Sequence, residues 1–120
     1  DIITVHAPLT EQTKGMINER LIGMMQKDAI LINTARGGVV DEQAMIRALQ
    51  AGQIRGAGLD TYENEPLEDG SPLRTMENVV LTCHCGGSTI DNMLPRLQHT
   101  YGNILKFAAG EAIDARDVVK

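Results

Sequence analysis

Three side chains able to do anion and acid–base chemistry stand where apolar runs of the sequence end. Arg36 follows "AILINTA" (Ala29–Ala35), Glu65 follows "IRGAGLDTY" (Ile54–Tyr62), and His84 closes "NVVLTCH" (Asn78–His84). A guanidinium can grip a carboxylate through a two-pronged hydrogen bond. An imidazole exchanges a proton near neutral pH. A carboxylate beside that imidazole fixes its tautomer and stabilises its charged form. Asp60, closing "GLD", can accept from an amide of a ligand. Together these groups suit a 2-keto or 2-hydroxy acid whose carbonyl and alcohol interconvert.

Such a kit works only if the chain's elements bring its members together. "IITVHA" (Ile2–Ala7) is a short apolar run stopped by Pro8 and reads as a strand. "NERLIGMM" (Asn18–Met25) reads as a short helix with Asn18 as its N-cap. Ala29–Ala35 is almost continuously apolar, as strands buried on both faces are. Asp41 caps "EQAMIRALQA", in which Ala44, Met45, Ala48 and Leu49 share one helical face, and Gly52 suits its end. Ile54–Tyr62 is the third strand, its small residues allowing a close neighbour. "ENEPLEDGSPL" is a loop whose Glu63, Glu68 and Asp69 face solvent, and Asn78–His84 is the fourth strand.

"STID" (Ser88–Asp91) has the form of a capping box for a final helix running to about Ala109. Pro95 inside it predicts a kink or a local loosening. Strands alternating with helices predict a parallel α/β sheet. Ligands of such sheets bind beyond the C-terminal ends of the strands. His6 and Pro8, Arg36, Asp60 and Glu65, and His84 follow four successive strands.

The bulk composition removes other classes. A net charge of -5, with no Lys/Arg run, argues against non-specific nucleic-acid binding. No apolar run reaches the length of a membrane span. "DIITVHAP" lacks the basic region of a signal peptide, so a cytoplasmic location is expected. With one Phe, two Tyr and no Trp, the core must be aliphatic, and the six methionines are expected to fill it. Cys83 and Cys85 flank one residue at a strand end, where successive side chains point to opposite faces. A disulfide between them would be strained, and reduced thiols are expected. His6 and His99 lie far from "CHC" in sequence, and no metal site is expected. His99, on the final helix, reads as structural or solvent-facing.

"VHAPLTEQTKGMIN", "LINTARGGVVDEQAMIRALQAGQIRGAGLD", "ENEP" and "NVVLTCHCGGST" resemble the NAD-binding domain of the D-isomer-specific 2-hydroxyacid dehydrogenases. The resemblance implies a Rossmann-type α/β fold with a parallel sheet. It places on Arg36 the residue that binds the substrate carboxylate and carbonyl. Glu65 falls on the partner of the catalytic histidine, and His84 on that histidine. Asp60 falls on the residue that meets the nicotinamide carboxamide. Backbone near Thr34 and Ala35 would run along the nicotinamide side, and His6, Ala7 and Pro8 would lie near the adenosine half. Gly86 and Gly87 would let the backbone approach the cofactor closely.

The implied reaction is hydride transfer between NADH and a keto carbon, with His84 giving the proton to the oxygen and Glu65 supporting the charged imidazole. NADP is left open beside NAD. The glutamate at 65 favours a hydroxyacid over formate, since formate dehydrogenases of the superfamily commonly carry glutamine there. The family's phosphate-binding G-x-G-x-x-G lies upstream of everything in this sequence, and "GAG" (Gly56–Gly58) is a decoy inside a strand. Residues 1–120 therefore read as the second half of the NAD-binding domain, without the substrate domain. On its own such a half is expected to be inactive, and an exposed first strand invites a homodimer. An inactive module that only dimerises is the alternative. Cys83 stands where the family usually has proline before the histidine.

Overall fold

The computed structural model describes residues 1–118. The domain expected over 1–120 thus has its last two residues, Val119 and Lys120, outside the described part. The chain divides into two compact units, Asp1–Gly86 and Gly87–Lys120.

The first unit is built on a four-stranded sheet in the order β1-β2-β3-β4, with β1 Ile2–Val5, β2 Ile30–Asn33, β3 Gly56–Leu59 and β4 Val79–Leu81. Every neighbouring pair is parallel. Small residues in β3 let β4 approach: a Cβ on Gly56 would lie 2.7 Å from the Asn78 carbonyl oxygen. Helix α1 (Glu19–Gly23) begins as expected at Asn18, whose side chain accepts from the Leu21 amide at 3.1 Å. Helix α2 (Glu42–Gln50) begins at Asp41, whose carboxylate accepts from the Ala44 amide at 2.9 Å.

The predicted apolar face of α2 is buried, and Ile46 joins it. The helix ends at Gly52, whose φ of 63° is the left-handed conformation that glycine adopts without cost. There the Gly52 amide donates to the Leu49 carbonyl and the Gln53 amide to that of Ala48, closing the last turn. Ile22, Leu31, Val39, Met45, Ile54 and Leu73 are fully buried in one cluster. Each such side chain contributes about 1.5–3 kcal/mol over leaving it in water.

All four strands are shorter than the sequence suggests. Around the ends of β2, β3 and β4 several backbone polar groups bond to side chains. Asn33 is the clearest case. Buried at the end of β2, it accepts from the Ala35 amide at 3.1 Å and donates to the Arg36 carbonyl at 3.0 Å. β2 also differs from the expectation of burial on both faces: Leu31 and Asn33 are buried, while Ile30 and Ile32 are half-buried. The methionines differ too. Met45 is buried and Met25 and Met76 pack against the core, but Met24 is 71% exposed on the short helix α1. α1 has room to bury only Ile22.

The second unit holds α3 (Ile90–Ala108) and a 3-10 turn at Ala115–Asp117. The expected capping box does not form. The helix starts one residue later, at Thr89, with no side-chain cap. That shift takes Ser88 out of the cap position and puts Asn92, not an acid, where a box needs its partner. α3 runs through Pro95, whose missing N–H leaves the Asp91 carbonyl without its intrahelical donor. His99 is exposed, with Nε2 3.0 Å from the Asp117 carboxylate.

Candidate active site

Three of the strand-end residues, Asp60, Glu65 and His84, gather into a connected set. His84 Nδ1 lies 2.7 Å from Glu65 Oε2. The Tyr62 amide donates to Glu65 Oε1 at 3.1 Å. The hydrogen bond from His84, opposed by desolvation and aided by the Tyr62 amide and the charges of His84 and Arg36, holds the Glu65 carboxyl below its ordinary range. An ionised carboxylate only accepts. The Nδ1 of His84 therefore carries the proton of this bond, and Nε2 is the nitrogen left to exchange one with a ligand.

His84 itself sits at φ 55°, a conformation that side chains other than glycine seldom adopt. Its neighbours on both sides are pinned by Asp60. The Asp60 carboxylate accepts from the Thr82 hydroxyl, from the Cys85 amide at 2.9 Å and from the Gly86 amide at 2.8 Å. Burial opposes ionisation of Asp60, but these hydrogen bonds outweigh it and its pKa is lowered. Gly86 is glycine for a local reason, since a Cβ there would lie 2.9 Å from Asp60 Oδ2.

Arg36 is exposed and donates to the Ala35 carbonyl at 2.7 Å. A cleft of about 510 Å³ is lined by His6, Ala7, Pro8, Leu9, Thr34, Ala35 and Arg36. The residues expected after β1 and β2 thus share one wall. His6 Nε2 lies 3.0 Å from the Thr4 hydroxyl. A second cleft, of about 780 Å³, has Glu65 and His84 in its lining with Tyr62, Arg74 and both cysteines. Cys83 and Cys85 are free thiols, as expected. Asp60 and Gly86 line neither cleft and instead brace the His84 loop. Gly87 opens the second unit. Among the described residues no three His, Cys, Asp or Glu side chains are grouped to hold a metal ion.

Residues 1–86 match the family described as D-isomer specific 2-hydroxyacid dehydrogenase, NAD binding domain. The chain belongs to this family. It is 40% identical over 123 residues to a glyoxylate reductase of Aeropyrum pernix, covering 100% of this chain and 37% of that protein. A D-isomer specific 2-hydroxyacid dehydrogenase from Xanthobacter autotrophicus Py2, solved with NADPH and MES, superposes with a TM-score of 0.77 at 42% identity. That match covers 94% of this chain and 46% of the other. D-lactate dehydrogenase with NAD+ from Lactobacillus jensenii superposes with a TM-score of 0.85 at 35% identity, over 100% of this chain and 39% of that one. The chain thus spans little more than a third of the glyoxylate reductase it matches. The Rossmann-type parallel sheet expected from the sequence is the fold observed.

Two residues that hold the site were not singled out from the sequence. Asn33 fixes the backbone on both sides of Thr34, and a lone amide closing an apolar run was its available signal. Tyr62 reaches Glu65 through its amide, a backbone contact that no residue type announces. Thr61, between Asp60 and Tyr62, is buried with a hydroxyl that has no partner.

Proposed function

We propose that this chain is the second half of an NAD(P)-binding domain whose complete protein interconverts 2-keto acids and D-2-hydroxy acids. The observation that carries the reading is the His84–Glu65 pair, 2.7 Å apart. His84, Glu65 and Arg36 all follow C-terminal ends of a parallel sheet, where such sheets bind their ligands.

The strand-end cleft supports the cofactor assignment by its chemistry: small side chains and backbone at Ala7, Pro8, Thr34 and Ala35, with Arg36 at one side. His6, Ala7 and Pro8 would take the adenosine half, and Thr34 and Ala35 the nicotinamide side. Asp60 would meet the carboxamide, with Gly86 and Gly87 nearby. Asp60 holds three donors already, and a carboxylate has further acceptor capacity. The two solved relatives hold NADPH and NAD+, and either nucleotide enters the proposal. When bound, such a cofactor supplies or accepts the hydride.

The chain's own residues do the rest. Arg36 holds the substrate carboxylate and polarises the carbonyl, fixing the reacting carbon in place. His84 gives the proton on Nε2 to the oxygen as the alcohol forms, and takes it back in the reverse direction. Glu65 stabilises the imidazolium before transfer and keeps Nδ1 protonated after it. The experiment is NADH oxidation with glyoxylate, hydroxypyruvate and pyruvate by the complete protein and its His84→Ala variant. Loss of about 10²–10⁴-fold in turnover is expected for removal of a general acid, and unchanged turnover rejects the reading.

A further inference from the structure

We infer that Tyr62 is a positioning residue of the site, whose side chain and backbone together set the spacing of the Arg36, Glu65 and His84 loops. It touches all three. Its amide donates to Glu65 Oε1 at 3.1 Å. Its hydroxyl donates to the Thr82 carbonyl, two residues before His84. Its carbonyl lies against Gly37, next to Arg36, so closely that a Cβ on Gly37 would fall 1.9 Å from the Tyr62 carbonyl carbon and oxygen.

The ring is buried at 9% exposure, within the core cluster and beside the site at once. Burial, with the nearby charge of Asp60, pushes the phenol above its ordinary range despite the bond to Thr82, so the hydroxyl stays a donor. The hydroxyl lies between the Leu59 and Thr82 carbonyls and adds to the backbone bond from the Thr82 amide to Leu59 at the end of β3 and β4. Asp60 grips the same loop from residues 82, 85 and 86. Asp60 sets the conformation of the His84 loop, whereas Tyr62 sets its distance from Glu65. Replacing the hydroxyl by hydrogen leaves the ring in the core and the amide on Glu65, but takes the Tyr62 donor from the Thr82 carbonyl, while the Thr82 amide stays on Leu59 and its hydroxyl on Asp60.

The inference takes its meaning from the acid/base reading of Glu65 and His84, and its test is independent of turnover. The chain is labelled with ¹⁵N in its three histidines, His6, His84 and His99. His84→Gln assigns the signal. In the unsubstituted chain, at a pH where the ring is neutral, the ring nitrogen shifts of His84 should report its proton on Nδ1. Tyr62→Phe should move that population toward the Nε2–H form typical of a free imidazole. Ile22→Val, a core change in α1 far along the chain from the site, is the control for lost stability and should keep the Nδ1–H signature. A Tyr62→Phe spectrum identical to that of the unsubstituted chain would overturn the inference. So would an equal loss of signature in Ile22→Val. If the signature depends on Tyr62 while the complete protein reduces no 2-keto acid, the reading of the function fails and the positioning stands.

Discussion

Asp60 holds the chain on both sides of His84: its carboxylate accepts from the Thr82 hydroxyl before the histidine and from the Cys85 and Gly86 amides after it, and between them His84 sits at φ 55°. A conformation of that kind costs of order 1–3 kcal/mol and persists only where its surroundings impose it. Asp60→Asn replaces one acceptor oxygen with an NH₂ that must face an amide donor. A loss of about 2–4 kcal/mol in unfolding free energy is expected, from hydrogen bonds to a charged acceptor. Urea denaturation measures it, and an unchanged midpoint would contradict the bracing role.

The same carboxylates set the acid limb of stability. Burial raises the pKa of Asp60 but its hydrogen bonds lower it further, and the bond from His84 lowers that of Glu65. A carboxyl with a depressed folded pKa contributes stability above its unfolded value, about 4, and loses it as pH falls through the folded one. Unfolding midpoints should therefore be flat from neutral pH to about 5 and fall below 4. Asp60→Asn should flatten that fall. A fall of equal steepness in the variant would show that other groups govern it.

Gly37 and Gly38 stand side by side with different duties. A Cβ on Gly37 would collide with Tyr62 backbone at 1.9 Å, whereas one on Gly38 would meet only the Leu9 side chain at 3.2 Å. Gly37→Ala should cost about 2–4 kcal/mol or prevent folding, as overpacking against fixed backbone does. Gly38→Ala should cost under about 1 kcal/mol. Thermal unfolding of the two variants compares them, and equal costs would deny the close approach.

Thr61 offers the opposite sign. Its hydroxyl is buried without a partner, and a buried unsatisfied group carries a desolvation penalty of about 1–3 kcal/mol. Thr61→Val keeps the shape and should raise stability by about 1 kcal/mol. A clear loss on thermal unfolding would mean that the hydroxyl is bonded.

The order of strands and the residues at their ends were legible because apolar runs and turn residues carry that information locally. Arg36, Glu65 and His84 stood out because charged groups just past buried strands have few structural uses. The reason for Gly37 was not legible. It reads as freedom to turn, and the structure makes it a matter of space against Tyr62, a residue 25 positions on. Tyr62 and Asn33 escaped notice because their roles depend on which backbone groups the fold brings near them. The Ser88 cap failed by one residue, since helix starts are set by backbone geometry that several adjacent polar residues satisfy equally well. The closure of the Asp60 brace on Gly86 rests on contacts between segments far apart in sequence, which no local pattern carries.

Arg36 gives the most direct test of the account. Its side chain is exposed and, among the described residues, bonds only to the neighbouring Ala35 carbonyl, so Arg36→Ala should leave the circular dichroism spectrum and the unfolding midpoint nearly unchanged. In the complete protein the same variant should lose at least about 100-fold in kcat/KM for reduction of glyoxylate, hydroxypyruvate or pyruvate by NADH, the scale of losing a charged, transition-state-stabilising contact. Near-normal turnover by a folded Arg36→Ala protein would contradict the assignment of these strand ends to a 2-keto acid.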